Sequence, residues 1–228
     1  MRPEAAMVFA AGFGTRMKAL TRHSPKPMLD VAGKPLLDHA LDHVFAAGLK
    51  KAVVNTHYLA PVIKAHLSDW PGVDVLHEAD ILETGGGLRN ALPVLGLGPV
   101  VTMNPDSVFL GPNPVVSLLE SDETAKALLL LVEKHNAPGY TGNGDFNLRP
   151  NGRITRRRGA IADYIYTGVQ IIDPEGIESV AERQFSLNVF WDDLLANDAV
   201  HGILYPGRWI DVGTPDGLAR ANAELSGN

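Results

Sequence analysis

Two cationic side chains and two carboxylates, each in a distinctive local pattern, carry the chemistry this chain offers. An apolar run from Ala6 to Ala10 leads into Ala10-Ala11-Gly12-Phe13-Gly14-Thr15-Arg16. Gly12 and Gly14 let the backbone turn and come close to a ligand. Successive N–H groups in such a turn form an anion-binding concavity. Thr15 adds a hydroxyl and Arg16 a planar guanidinium, both suited to phosphate oxygens. Further along, Ser24-Pro25-Lys26-Pro27 sets one lysine between two prolines, whose fixed φ stiffens the backbone that carries it. The loop lacks the Gly-Lys-Ser/Thr ending of a Walker A motif and the third glycine of the dinucleotide fingerprint. Gly-x-Gly alone is as often a plain turn. Its combination with Thr-Arg and Pro-Lys-Pro in one segment is what selects phosphate binding.

The carboxylates lie far apart in sequence. Val100-Val101-Thr102-Met103 has the composition of a buried strand and runs into Asn104-Pro105-Asp106. The second acid sits in Trp209-Ile210-Asp211-Val212-Gly213-Thr214. Mg²⁺ takes one or two carboxylates together with substrate phosphates and water, so Asp106 and Asp211 brought together would meet its needs. Either aspartate alone is equally a turn residue.

A second glycine cluster, Leu82-Glu83-Thr84-Gly85-Gly86-Gly87, is expected just before a helix, with N–H groups free for a ligand. Gly142-Asn143-Gly144-Asp145 and Tyr166-Thr167-Gly168 offer further backbone and carboxylate contacts, though loops of this composition are ordinary. Arg156-Arg157-Arg158 reads as a solvated surface run. The histidines show no metal-binding spacing, and Trp70, Trp191 and Trp209 read as core.

The elements that must position these residues follow from periodicity. Ala6–Ala10, Lys51–Asn55, Val73–His77, Val100–Met103 and Ala127–Val132 read as strands, with Tyr166–Ile172 and Val200–Tyr205 after them. Pro35–Ala47, Leu59–Leu67, Leu88–Leu95 (stopped near Pro93), Pro114–Glu120, Pro174–Val180 and Val189–Leu195 read as helices. Gly12–Pro35 is a long loop with a short helical turn, and 136–158 a region of loops and one β-hairpin. Thr214-Pro215-Asp216 has the form of a helix start, opening a closing helix to Leu225. The alternation predicts a Rossmann-like α/β fold: a mostly parallel central sheet with helices on both faces and a small hairpin subregion. One domain is expected over 1–228, in two parts divided at about residue 110. In such sheets ligands bind at the carboxyl ends of the strands.

Composition narrows the partners. The 228 residues are 45% hydrophobic and 20% charged, with net charge −6 and no cysteine. A sizeable core is affordable, a thiol nucleophile or disulfide framework is excluded, and nucleic acid is a poor fit. No leader or membrane-length apolar run is evident, so a cytoplasmic protein without a membrane partner is expected.

Phe9-Ala10-Ala11-Gly12-Phe13-Gly14-Thr15-Arg16-Met17, followed by Leu20-Thr21, Pro25-Lys26-Pro27-Met28 and Val31-Ala32-Gly33-Lys34-Pro35-Leu36, resembles the signature of sugar-1-phosphate nucleotidyltransferases. Ala19 and Pro105 depart from the residues that family usually carries, Pro and Gly. The resemblance implies Mg²⁺-dependent transfer of a nucleoside monophosphate from a triphosphate to a sugar 1-phosphate. It gives Arg16 and Lys26 the catalytic charge, and Ala10, Ala11, Gly12, Gly14 and Thr15 the phosphates. It places Glu78, Thr84 and Gly85 at the base. Asn104, Gly144, Asp145, Thr167 and Gly168 fall at the sugar phosphate, and Asp106 and Asp211 at the metal. Glu83-Thr84-Gly85-Gly86-Gly87 is most similar to the small uridylyltransferases acting on N-acetylmuramic acid 1-phosphate, enzymes of cell-wall recycling. Guanylyl transfer to mannose 1-phosphate, cytidylyl transfer to phosphocholine and a non-catalytic nucleotide sensor remain alternatives. A monomer or small homo-oligomer is expected.

Overall fold

A computed structural model describes residues 2–227. The elements run β1 (Ala5–Phe9), β2 (Asp30–Val31), β3 (Lys34–Pro35), α1 (Leu36–Ala46), β4 (Lys51–Thr56), α2 (Ala60–His66), β5 (Val73–His77), α3 (Glu83–Leu95), β6 (Val100–Met103), β7 (Ser107–Leu110), α4 (Pro114–Leu119), β8 (Ala127–Glu133), β9 (Phe146–Leu148), β10 (Ile154–Arg156), β11 (Tyr164–Ile172), α5 (Leu187–Ala196), β12 (Val200–Leu204), β13 (Arg208–Asp211) and α6 (Pro215–Leu225). Across the main sheet the order is β5-β4-β1-β6-β11-β8-β12. Its members are parallel except β11, which is antiparallel to both β6 and β8. The β9–β10 hairpin hangs on β11. The α/β architecture read from the sequence therefore holds.

The continuous apolar runs arise because the sheet is buried on both faces. Successive side chains alternate between faces. Ala6, Val8, Ala52, Val54, Leu128 and Leu130 join one core, which packs under α1 and α4. Ala5, Met7, Val53, Leu129 and Leu131 join the other, under α3 and α5. A third, smaller cluster of Met17, Leu29, Val31, Leu36, Val108, Ile210, Val212 and Ala221 ties the N-terminal loop to α6.

Several element boundaries differ from the sequence reading. The helix expected from Leu88 begins at Glu83 and takes in all three glycines. It also runs past Pro93, because burial of Leu88, Ala91 and Leu95 holds its last turn against the core. Pro174–Val180 forms only a 3₁₀ turn at Ile177–Ser179. The strands β7 and β13, which the sequence did not announce, pair antiparallel as a separate ribbon. Thr214 caps α6 as expected, accepting from the Gly217 N–H at 3.2 Å.

His43 on α1 lies edge-on to Phe109, with ring centroids 5.8 Å apart. Burial first, then the neighbouring His39, lowers its pKa from 6.5 to about 4, although Asp42 opposes this. The neutral ring is thus favoured in the folded chain. Stability is full above pH 6.5 and falls as the pH drops from there towards 4, because the unfolded chain takes up the proton first. The loss at pH 4 is expected to be on the order of 2–3 kcal/mol. Urea titrations of wild type and His43→Phe between pH 7 and 4.5 check it: wild type should lose more stability than the variant over this range, by about 2–3 kcal/mol.

Candidate active site

The carboxyl ends of β1, β4, β5 and β6 open into one cleft of about 450 Å³. Its walls carry Ala10, Ala11, Gly12, Gly14, Thr15, Arg16 and Lys26 from the N-terminal loop. Asn55, Glu78, Glu83, Thr84, Asn104 and Asp106 complete it, with Ser186 and Gly213 from the second half of the chain. The cleft thus draws on both parts of the chain, before and after residue 110.

The loop is held from below. The Ala10 N–H donates to Asn55 Oδ1 at 2.8 Å, and Asn55 Nδ2 donates to Glu78 Oε1 at 2.7 Å. Gly14 adopts φ +63°, and a Cβ there would stand 2.9 Å from the Lys26 Cβ. Gly14 is thus the place where the loop and the lysine segment touch. A Cβ on Gly12 would meet nothing within 4 Å and would project into open space. Gly12 is free of the fold's packing, whereas Gly14 is part of it.

Lys26 is almost fully buried, and its Nζ donates to Asp106 Oδ2 at 2.7 Å. Asp106 follows β6 directly, at the cleft edge. The β7–β13 ribbon brings Asp211 there too: Asp211 pairs with Ser107, and the Val212 N–H donates to the Asp106 carbonyl at 2.9 Å. Burial, and next the charge of Asp106, pushes the Asp211 carboxyl above the usual carboxylate range, while Lys26 and Arg16 pull the other way. A Cβ on Gly213 would lie 2.8 Å from both Asp211 Oδ2 and an Arg16 terminal nitrogen, so Gly213 leaves space for that carboxylate and guanidinium to approach. Two carboxylates whose shared ionisation is unfavourable thus lie beside two cationic side chains at the cleft edge.

The family model for nucleotidyl transferase matches residues 5–227. The chain belongs to the nucleotidyl transferase family. It is 37% identical over 236 residues to an N-acetylmuramate alpha-1-phosphate uridylyltransferase of Caulobacter vibrioides, covering 98% of each chain. With the uridylyltransferase of the same name from Neisseria meningitidis it shares 36% identity over 96% of both chains. A mannose-1-phosphate guanylyltransferase of Mycobacterium tuberculosis is more distant, at 28% over 96% of this chain and 64% of the relative. Among solved structures, HddC from Yersinia pseudotuberculosis complexed with GMP-PN superposes with TM-score 0.78 at 22% identity, covering 99% of this chain and 100% of HddC. These last figures speak for the fold.

Within this nucleotidyltransferase the expected site residues do not all behave as the sequence suggested. The Gly85 and Gly86 N–H groups, expected free for the base, both donate to the Phe185 carbonyl, at 2.9 and 3.0 Å. Gly85 is buried against Phe185, and it is Glu83 and Thr84 that face the cleft. Glu78 does line the cleft, but its carboxylate already accepts from Asn55 and from the Leu82 N–H. Thr167 points away: its hydroxyl donates to the Leu130 carbonyl at 2.9 Å and is buried, because β11 bulges there. Gly168, at φ +87°, packs against Asn104, and its carbonyl accepts from the Asn104 N–H at 2.9 Å. Its part is to place Asn104.

A second pocket of about 300 Å³ adjoins the cleft, and Phe9, Thr84, Asn104 and Ser186 line both. Asp145, Phe146, Arg156, Tyr166, Asn188 and Trp191 line the rest. Gly144, at φ +75°, packs against the Ala162 carbonyl and turns the chain so that Asp145 reaches this pocket. Asp145 Oδ2 there accepts from the Tyr166 N–H at 2.9 Å. Sequence reading missed Asn55, Ser186 and the pocket face of Trp191. It also took Arg156 for a solvated residue, whereas Arg156 is held by α5. No local pattern announces these four, since each acts through a partner distant in sequence.

Proposed function

We propose that this protein transfers uridylyl from UTP to N-acetylmuramic acid 1-phosphate, giving the nucleotide sugar and pyrophosphate. The observation that carries the transfer chemistry is the meeting of Lys26, Asp106, Asp211 and Arg16 at one edge of the cleft. The choice of UTP and of acceptor is supported by the full-length similarity to two uridylyltransferases so named.

A phosphate oxygen of the sugar 1-phosphate attacks the α-phosphorus in line, the new P–O bond forms, and the bond to the β-phosphate oxygen breaks to release pyrophosphate. The attacking group is already an anion, so no protein nucleophile or general base is required. Catalysis then rests on positioning and on charge. The backbone from Ala10 to Thr15 cradles the phosphates, and Arg16 and Lys26 offset the charge that gathers on the leaving pyrophosphate. Asp106 and Asp211 would hold Mg²⁺, which supplies further neutralisation of the triphosphate when bound. Lys26, clamped by Asp106, keeps the carboxylate oriented before substrates arrive. Glu83 and Thr84 border the base end of the cleft, while Asn104 and Asp145 face the sugar.

Pyrophosphate release from UTP, GTP, CTP and dTTP, each tested with N-acetylmuramic acid 1-phosphate, mannose 1-phosphate and phosphocholine, checks the reading. UTP with N-acetylmuramic acid 1-phosphate is expected to give the highest kcat/KM, and EDTA to abolish turnover with restoration by Mg²⁺. Preference for GTP with mannose 1-phosphate would overturn it.

A further inference from the structure

We infer that Arg156 reads a carboxylate on the sugar, so that the second pocket selects a carboxylate-bearing hexose 1-phosphate over its neutral counterpart. This rests on the acceptor named above and specifies how it is chosen.

Arg156 is the one cationic side chain among the described residues that line the second pocket. It is not a loose surface arginine. Its Nε donates to Asp192 Oδ1 at 2.5 Å, one terminal nitrogen donates to Asn188 Oδ1 at 3.0 Å, and the other to the Asn188 carbonyl at 3.1 Å. The guanidinium lies over the rings of Phe146 and Trp191, 5.6 and 5.9 Å from their centroids. Trp191 is itself fixed, its Nε1 donating to the buried Gln170 Oε1 at 3.0 Å.

A guanidinium has five N–H donors, and these contacts use one on each nitrogen. One hydrogen on each terminal nitrogen remains for a ligand. A planar cation held on aromatic faces loses little freedom on binding and matches a carboxylate better than a lysine would. Asp145, which also lines this pocket, accepts hydroxyl or amide hydrogens but repels a second carboxylate. The charge pattern therefore orients an acidic sugar with its acid group towards Arg156. N-Acetylmuramic acid carries such an acid on its lactyl ether; N-acetylglucosamine is the same sugar without it.

The test compares UTP-dependent kcat/KM for N-acetylmuramic acid 1-phosphate, its lactyl carboxamide and N-acetylglucosamine 1-phosphate, in wild type, Arg156→Gln and Arg156→Lys. Wild type is expected to favour the free acid over the carboxamide by about 10- to 100-fold. The glutamine variant should lose that preference through KM rather than kcat, with little change on N-acetylglucosamine 1-phosphate, and the lysine variant should keep part of it. If wild type accepts acid and carboxamide equally, the carboxylate assignment falls while the uridylyl-transfer reading stands. A similar loss on all three acceptors in the glutamine variant would make Arg156 structural and would equally overturn the inference. If wild type uses only sugars without an acid group, the acceptor reading fails and takes this inference with it. The wild-type comparison needs no variant to fold.

Discussion

Asp106→Asn is expected to lower kcat by at least about 10³-fold, on the order of 4 kcal/mol of transition-state stabilisation, while the protein stays folded. The side chain keeps its shape but loses the charge that pairs with Lys26 at 2.7 Å and that shares the cleft edge with Asp211. Asp106 is partly exposed and contributes no apolar packing, so its removal leaves all three cores intact. Single-turnover assays with excess enzyme, together with far-UV circular dichroism, separate loss of chemistry from loss of fold. Asp74→Asn provides the contrast: it breaks an exposed pair with Lys51 far from the cleft and should change kcat by less than about twofold. Activity of Asp106→Asn within tenfold of wild type would sink the assignment of the acidic pair.

Gly85→Ala is expected to destabilise the protein strongly. A Cβ at this position would run into the Phe185 ring and stand 2.9 Å from the Phe185 carbonyl, which accepts from the Gly85 and Gly86 N–H groups. The backbone carbonyl cannot rotate away, so α3 must shift from the segment leading into α5. Overpacking of this kind costs about 3 kcal/mol, which lowers Tm by roughly 6–12 °C in a domain of this size. Gly12→Ala makes the comparison. Its Cβ would enter open space, so the melting temperature should stay within about 2 °C while KM for the triphosphate rises. A Gly85→Ala protein that melts with wild type would show that α3 and the Phe185 segment are not locked together as described.

The sheet was legible because its strands are apolar on both faces, and Ala6–Val8 or Leu128–Leu131 can be little else. The N-terminal wall of the cleft was legible because Gly12, Gly14, Thr15 and Lys26 lie within one segment. Legibility ended where function depends on tertiary pairing. Ser107–Leu110 and Arg208–Asp211 are short and of mixed polarity, and each becomes a strand only by finding the other. The glycines at 85–87 carry no mark that distinguishes a ligand loop from a tight helix contact. That difference is decided by Phe185, a hundred positions downstream. Thr167 followed the same rule: a bulge in β11 turned it inward, and no pattern in its neighbours foretold that.

The ribbon of β7 and β13 has a consequence for how the protein comes into being. Synthesis delivers the N-terminal loop and Lys26 first, and the parallel strands that support them soon after. Asp211, on β13, is made after all of them. A chain made only as far as α5 therefore carries the N-terminal loop and Lys26 without Asp211, and the three side chains can meet only once β13 has paired with β7.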